Sequence, residues 1–319
     1  MPELHQTPEA LVDRVFSREA ALRAGLSSRQ LRTPRYQRLS AGIWTSPPDG
    51  APDLAPRQQL ARLLEALHDE LPLQALSHVS AALYWGFRLP WRMQRLLPLH
   101  LTRIDDGPRV MRPGFIGQRA TNDLLLRRGD DGIRVTGPSR TLVDIAGLLE
   151  HRELVAVIDG VICTHRTGRR QGLPALRGGE QIARDLRLLR GTRGVRAARP
   201  ALLRSRTAVD SVPETRLRLM LEDHGFTGFV TDHEIHGTDG HPVQPDLADP
   251  RLRLSLQYEG RHHDEESQRH RDIRRQRATA EAGWTEIRLI SRDLDAMVRT
   301  GDGSMPRAVA LVRQAAGRI

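Results

Sequence analysis

The chain has 319 residues and a formal charge of 49 − 39 = +10, and every one of its 49 basic residues is arginine. That length admits two or three domains with cores of their own, and the basic excess suits a polyanionic partner, nucleic acid ahead of a membrane surface. The lack of lysine excludes a P-loop lysine or a Schiff base, and the single cysteine, Cys163, excludes an internal disulfide or a multi-cysteine zinc site.

The N-terminus carries acidic residues and no apolar stretch of signal-peptide type, and no apolar run reaches membrane-spanning length, so the expected location is cytoplasmic. Residues 1–50 read as a helical unit ending in a hairpin. Ser17 caps a helix that stops at Gly25, Ser27 caps a second short helix ended by Thr33 and Pro34, and RYQRLSAGIWTSP alternates as two strands. Helix, tight turn, polar-faced helix and hairpin resemble a winged helix-turn-helix, whose second helix enters the major groove while the hairpin touches the backbone. Arg29, Arg32, Arg35 and Arg38 are the candidate DNA contacts, because guanidinium groups match guanine edges and phosphates. The competing reading is a helical cap whose arginines are solvated.

Residues 51–163 read as a mixed α+β middle domain. An amphipathic helix is expected over 55–65 and another over 75–90, followed by short strands between 97 and 136. Two apolar helices then run through PSRTLVDIAGLLEHRELVAVIDGVIC, the first capped by Ser139. His78 reads as structural rather than catalytic, and Asp144 and Asp159 as partners of nearby arginines such as Arg140. Residues 164–204, rich in arginine and glycine, read as a helical connector whose charges are either solvated or follow a phosphate backbone.

Residues 205–319 form the last expected domain. SVPETRLRLMLEDHGF is a helix with Ser211 as cap and Glu214 completing a capping box. Three strands follow, then a charged helix ending at Gly283, the strand WTEIRLIS, and a final helix from Arg292. Around LRLSLQYEG the residues alternate, so that Leu252, Leu254, Leu256 and Tyr258 share one face and Arg253, Ser255, Gln257 and Glu259 the other. Gln257 and Glu259 then point the same way with α-carbons roughly 6.6 Å apart. Asp246 on the preceding strand joins them only through twist or a bulge, because a tight turn at Asp249-Pro250 places it opposite residue 253.

The helix with Pro213, Glu214 and Arg216, then Pro245-Asp246, Tyr258-Glu259-Gly260, His262-His263, Arg271-Asp272 with Arg275, and Gly283-Trp284 together resemble the very-short-patch-repair-like endonucleases of the PD-(D/E)xK superfamily. Residues 9–47 and 139–162 resemble the AbiEi-type antitoxin-like proteins, in which a winged helix precedes a middle domain. The expected architecture is therefore an α/β multidomain chain with a restriction-endonuclease-like sandwich at its C-terminus. The nuclease resemblance implies Mg²⁺ held by Asp246 and Glu259, His262 or His263 as general base or acid, Glu214 acting through water, and Arg271, Arg274 and Arg275 clamping phosphates. Gln257 departs from it, since the family places a carboxylate there and a neutral amide oxygen is a weaker ligand for a hard cation. Two functions stay open: a Mg²⁺-dependent DNA endonuclease, and a non-catalytic DNA-binding regulator or antitoxin-like protein with a degenerate nuclease fold and a toxin or other protein partner.

Overall fold

The computed structural model describes residues 7–12, 14–40, 42–46, 60, 73–95, 98–111, 114–119, 125–129, 132–164, 172–237, 242–260, 275–301 and 303–317. It is a mixed α/β chain with several small sheets, dividing into one compact unit of residues 1–150 with 179–200 and another of 151–178 with 201–319. Of the helix expected over 55–65, only Leu60 is described, and it is buried.

In the first unit a small module begins with a 3-10 turn, Glu9–Leu11, and continues through β1 (Val15–Ser17), α1 (Arg18–Arg23), a 3-10 turn Gln30–Arg32, β2 (Gln37–Ser40) and β3 (Ile43–Thr45). The strands pair in the order β1-β3-β2. Its core is Leu11, Phe16, Ala21, Leu26, Leu31 and Tyr36. Ser17 caps α1 as expected, its hydroxyl accepting from the Ala20 amide at 3.1 Å, and Gly25 ends it at φ +88°. The second helix differs from expectation in being a single 3-10 turn. Ser27 and Gln30 close that turn reciprocally, the Ser27 amide donating to Gln30 Oε1 at 2.7 Å and the Gln30 amide to Ser27 Oγ at 3.3 Å. Thr33 is already extended ahead of Pro34, which leaves no room for a second turn.

The rest of this unit is built on β4 (Gln74–Leu76), β5 (Leu99–Arg103), β6 (Phe115–Arg119), β7 (Leu126–Arg128) and β8 (Arg134–Thr136), in the order β6-β5-β4-β8-β7. Two helices, α2 (His78–Trp85) and α3 (Pro138–Ile145), follow β4 and β8. Trp85 Nε1 donates to the Thr136 carbonyl at 2.9 Å and ties α2 to β8. Ser139 does not cap α3, because Pro138 already occupies the first turn and the Ser139 hydroxyl donates instead to Asp185 Oδ2 at 2.6 Å. Residues 164–204 hold two helices where described, α5 (Gly179–Leu188) and α6 (Val195–Leu203). Gly194, just before α6, lies so close to α3 that an added Cβ would sit 1.8 Å from the Val143 carbonyl oxygen, so only glycine permits that approach.

The second unit holds a short antiparallel pair, β9 (Ile235–His236) and β10 (Pro242–Val243), and centres on β11 (Leu247–Asp249), β12 (Leu254–Glu259) and β13 (Thr285–Ile290). β11 and β12 are antiparallel, and β12 and β13 parallel. α4 (His151–Ile162) and α7 (Val212–Asp223) belong to this unit, and Leu217, Met220 and Leu221 of α7 join Leu247, Leu254, Leu256 and Leu289 in its core. The expected single helix from Arg292 is instead a short α8 (Ser291–Asp295), a hairpin of β14 (Met297–Thr300) and β15 (Gly303–Pro306), and α9 (Arg307–Ala316). Gly303, at φ +126°, opens the second arm of that hairpin in a conformation that helices do not contain.

Candidate functional site

β11 and β12 pair with Leu247 opposite Leu256, which sets Asp246 against Gln257. The expected tight turn, with Asp246 facing residue 253, is not what forms. Asp249 accepts at Oδ1 from the amides of Arg251 (3.0 Å) and Leu252 (3.2 Å) and holds a wider loop, so convergence needs neither a bulge nor extra twist. Asp246 Oδ1 accepts from Gln257 Nε2 at 3.0 Å and Oδ2 from the Tyr258 amide at 2.7 Å. Burial first, and then the negative charge of Glu214, push the Asp246 carboxyl up to about 7 against the pull of Arg275 and these two hydrogen bonds.

The neighbouring acids are engaged. Glu214 Oε2 accepts from the Asp210 amide at 2.8 Å, one residue before the Ser211 cap. Glu259 is 42% exposed and pairs with Arg288 at 3.0 Å. Glu286 was not singled out by the sequence, although the alternation of Ile287 and Leu289 in TEIRLI marks it for the Ser255–Gln257 face. It is a nearly buried carboxylate bound to Arg288 at 2.8 Å, with Arg275 Nε 3.7 Å away. Arg275 thus faces the carboxylates.

These donors do not suit Mg²⁺. Gln257 turns its NH₂ group toward Asp246, Glu259 is held by a guanidinium, and among the described residues no three His, Cys, Asp or Glu side chains are grouped to hold a metal. His262, His263, Arg271 and Arg274 lie outside the described residues.

In the first unit Arg29, Arg32, Arg35 and Arg38 are all exposed. Arg29 and Arg32 lie at the capped 3-10 turn, Arg35 Nε donates to Thr7 Oγ1 at 2.8 Å, and Arg38 on β2 sits 5.9 Å from the Trp44 ring centroid. A second basic feature emerges from the arginine-rich connector. Arg184, Arg187, Arg190, Arg193, Arg196 and Arg199 recur at every third position through α5, the turn after it and α6, and each is exposed. None of the six forms an ion pair among the described residues. Exposed guanidiniums without a counter-charge raise the local positive potential.

His78, the first residue of α2, is largely buried. Its ring stacks on His100 with centroids 5.7 Å apart and lies 3.9 Å from Asp144, which binds Arg140 at 2.7 Å. Burial lowers both histidines to about 4, helped at His78 by Arg140 and at His100 by His78, and burial raises Asp144 to about 6 against Arg140. Asp159 pairs with Arg218 at 3.0 Å.

The sheet β6-β5-β4-β8-β7, with α2, α3 and α5, is the part of the chain that comparison singles out. Residues 73–199 match the AbiEi antitoxin C-terminal domain. The arginine row of α5 and α6 falls inside that AbiEi match. Two uncharacterised proteins of Mycobacterium tuberculosis, from strains CDC 1551 / Oshkosh and H37Rv, are each 28% identical to this chain over 218 residues, covering 67% of it and 73% of each of them. No solved structure matches. No helix among the described residues is long and apolar enough to cross a membrane.

Proposed function

We propose that this chain is a non-catalytic, DNA-binding regulator of antitoxin type, with a toxin as its protein partner. The AbiEi-domain match over residues 73–199 carries the reading, because it gives the middle of the chain an antitoxin character independent of any site chemistry. The N-terminal module supports the DNA half. Its order of elements and its β1-β3-β2 sheet are compatible with the expected winged helix, with Arg29 and Arg32 at the second helical turn and Arg38 on the hairpin. Arg184 to Arg199 supply a further row of phosphate contacts. The carboxylates around Asp246 fit a retained but inactive site, since each described acid is bound by the protein's own donors.

One observation favours the endonuclease reading. Asp246 and Gln257 face each other across β11 and β12, with β13 parallel beyond and α7 supplying Glu214, the arrangement that the resemblance to very-short-patch-repair-like nucleases implies. A mobility-shift assay on duplex DNA from upstream of the gene, run beside incubation of supercoiled plasmid with Mg²⁺ or Mn²⁺, separates the two. The regulator binds the duplex, loses about tenfold or more in affinity with Arg29→Ala and Arg32→Ala combined, and leaves the plasmid intact. Plasmid cutting that Asp246→Ala abolishes would establish the nuclease instead.

A further inference from the structure

The N-terminal module contains a cleft of about 680 Å³, bounded by Arg18 and Glu19 at the start of α1, Ser28, Leu31 and Arg32 at the capped turn, Tyr36 and Arg38 leading into the hairpin, and Gly42 and Trp44 beyond it. This volume lies in the range of small-molecule sites, roughly 300–1,000 Å³. Leu31 and Tyr36 are buried, while Trp44 is half-buried and faces the Arg38 guanidinium. The polar part is pre-set. Arg18 is held by the Ser28 hydroxyl at 2.9 Å, and Arg32 is exposed with no ion pair among the described residues.

An aromatic wall beside three guanidiniums selects a ligand that is planar at one end and multiply anionic at the other. A flat base stacks on indole or guanidinium planes, and arginine forks match phosphate oxygens. A fatty acid has no group for Trp44 and Arg38 to stack on, and a lone inorganic anion leaves the aromatic wall unused. Glu19, the one acid among the described residues of the lining, supplies an acceptor for an exocyclic amine or a ribose hydroxyl.

We infer that this cleft binds a nucleoside phosphate, with the base against Trp44 and Arg38 and the phosphates between Arg18 and Arg32, and that occupancy competes with DNA. The competition rests on the DNA-binding reading above, since Arg32 and Arg38 serve both ligands. Nucleotide binding does not depend on it.

The test uses the full chain and titration calorimetry with ATP, GTP and tripolyphosphate. At least one nucleotide binds saturably at one site, about tenfold or more tighter than tripolyphosphate, as stacking of one base predicts. Arg32→Ala and Trp44→Leu each weaken it about tenfold, while Arg313→Ala, at an exposed position on α9, leaves it unchanged. Circular dichroism confirms that the Trp44 variant is folded, and the exposed Arg32 supplies a test that does not depend on the core. Absence of binding at millimolar nucleotide, tripolyphosphate binding as tightly as ATP and GTP, or an unaffected Arg32 variant overturns the site. In a mobility shift the bound nucleotide raises the protein concentration needed to shift DNA. Nucleotide binding with unchanged DNA affinity overturns the competition alone, and nucleotide binding without any DNA binding sinks the DNA reading and leaves the cleft assignment standing.

Discussion

Both oxygens of Asp246 accept hydrogen bonds from β12, one from the Gln257 side chain and one from the Tyr258 backbone. A carboxyl so placed keeps its proton to about 7 because burial and the charge of Glu214 outweigh those donors. Its folded value lies above the ordinary 3.8, so the native state binds more protons than the unfolded chain between the two values. The stability this group contributes is therefore full below about pH 4 and lost as pH rises through 7. Asp246→Asn cannot ionise and escapes that loss, while giving up the fit of two donors to a carboxyl group. Thermal unfolding of the variant beside the wild type should show the deficit of the variant shrinking from pH 5 to pH 8. The histidines of α2 and β5 titrate in both proteins and cancel in the comparison. A gap that stays constant or widens would mean that Asp246 is ionised throughout. The alternation of LRLSLQYEG made the shared face of Gln257 and Glu259 legible in the sequence. The partner of Gln257 was not, because register depends on the loop, and the loop is set by Asp249 bonding to amides two and three residues onward.

Among the elements, α4 and α7 are joined by polar groups that the core has closed over. Arg218 and Asp159 are 1% and 0% exposed at their side chains and meet at 3.0 Å. Asp159 also accepts from Thr215 Oγ1 at 2.8 Å and from the Arg206 amide at 2.8 Å, and Arg218 reaches Glu222 at 2.9 Å. Burial raises the Asp159 carboxyl, with Arg218 and these donors pulling it back. Removing one partner strands a charge in the core, which costs about 3–5 kcal/mol. Arg218→Ala should lower the urea-unfolding free energy by about that amount, and the apolar double variant Asp159→Leu with Arg218→Met should recover most of it. A loss under about 1 kcal/mol for the single variant would show that water reaches the pair. The sequence indicated that Asp159 pairs with an arginine, because an acid alone in an apolar helix needs a counter-charge. It did not indicate Arg218, which is 59 residues away and brought close only by helix packing. The winged-helix expectation met the same limit: β2, β3 and the Ser17 cap formed where the pattern put them, while Pro34 and the Ser27–Gln30 closure cut the second helix to one turn.

At the scale of the whole molecule, arginine is the only basic residue and the chain carries a formal +10. The exposed N-terminal arginines and the row from Arg184 to Arg199 both lie in the first unit. In the sequence that row is one arginine-rich stretch among others, since a spacing of three means little until α5 and α6 are known to be helices with buried Ile182, Leu186, Val195 and Ala198. Phosphate contacts release counterions, so log affinity for duplex DNA falls against log salt with a slope of about −0.9 per contact. The most direct test of the DNA-binding account is that slope, measured by fluorescence anisotropy for the wild type and for the double variant Arg187→Ala with Arg196→Ala. The wild type is expected to bind tightly at low salt with a steep negative slope, and the variant with a slope about 1.8 units shallower. Binding that does not change with salt, or no binding to duplex DNA at low salt, would contradict it.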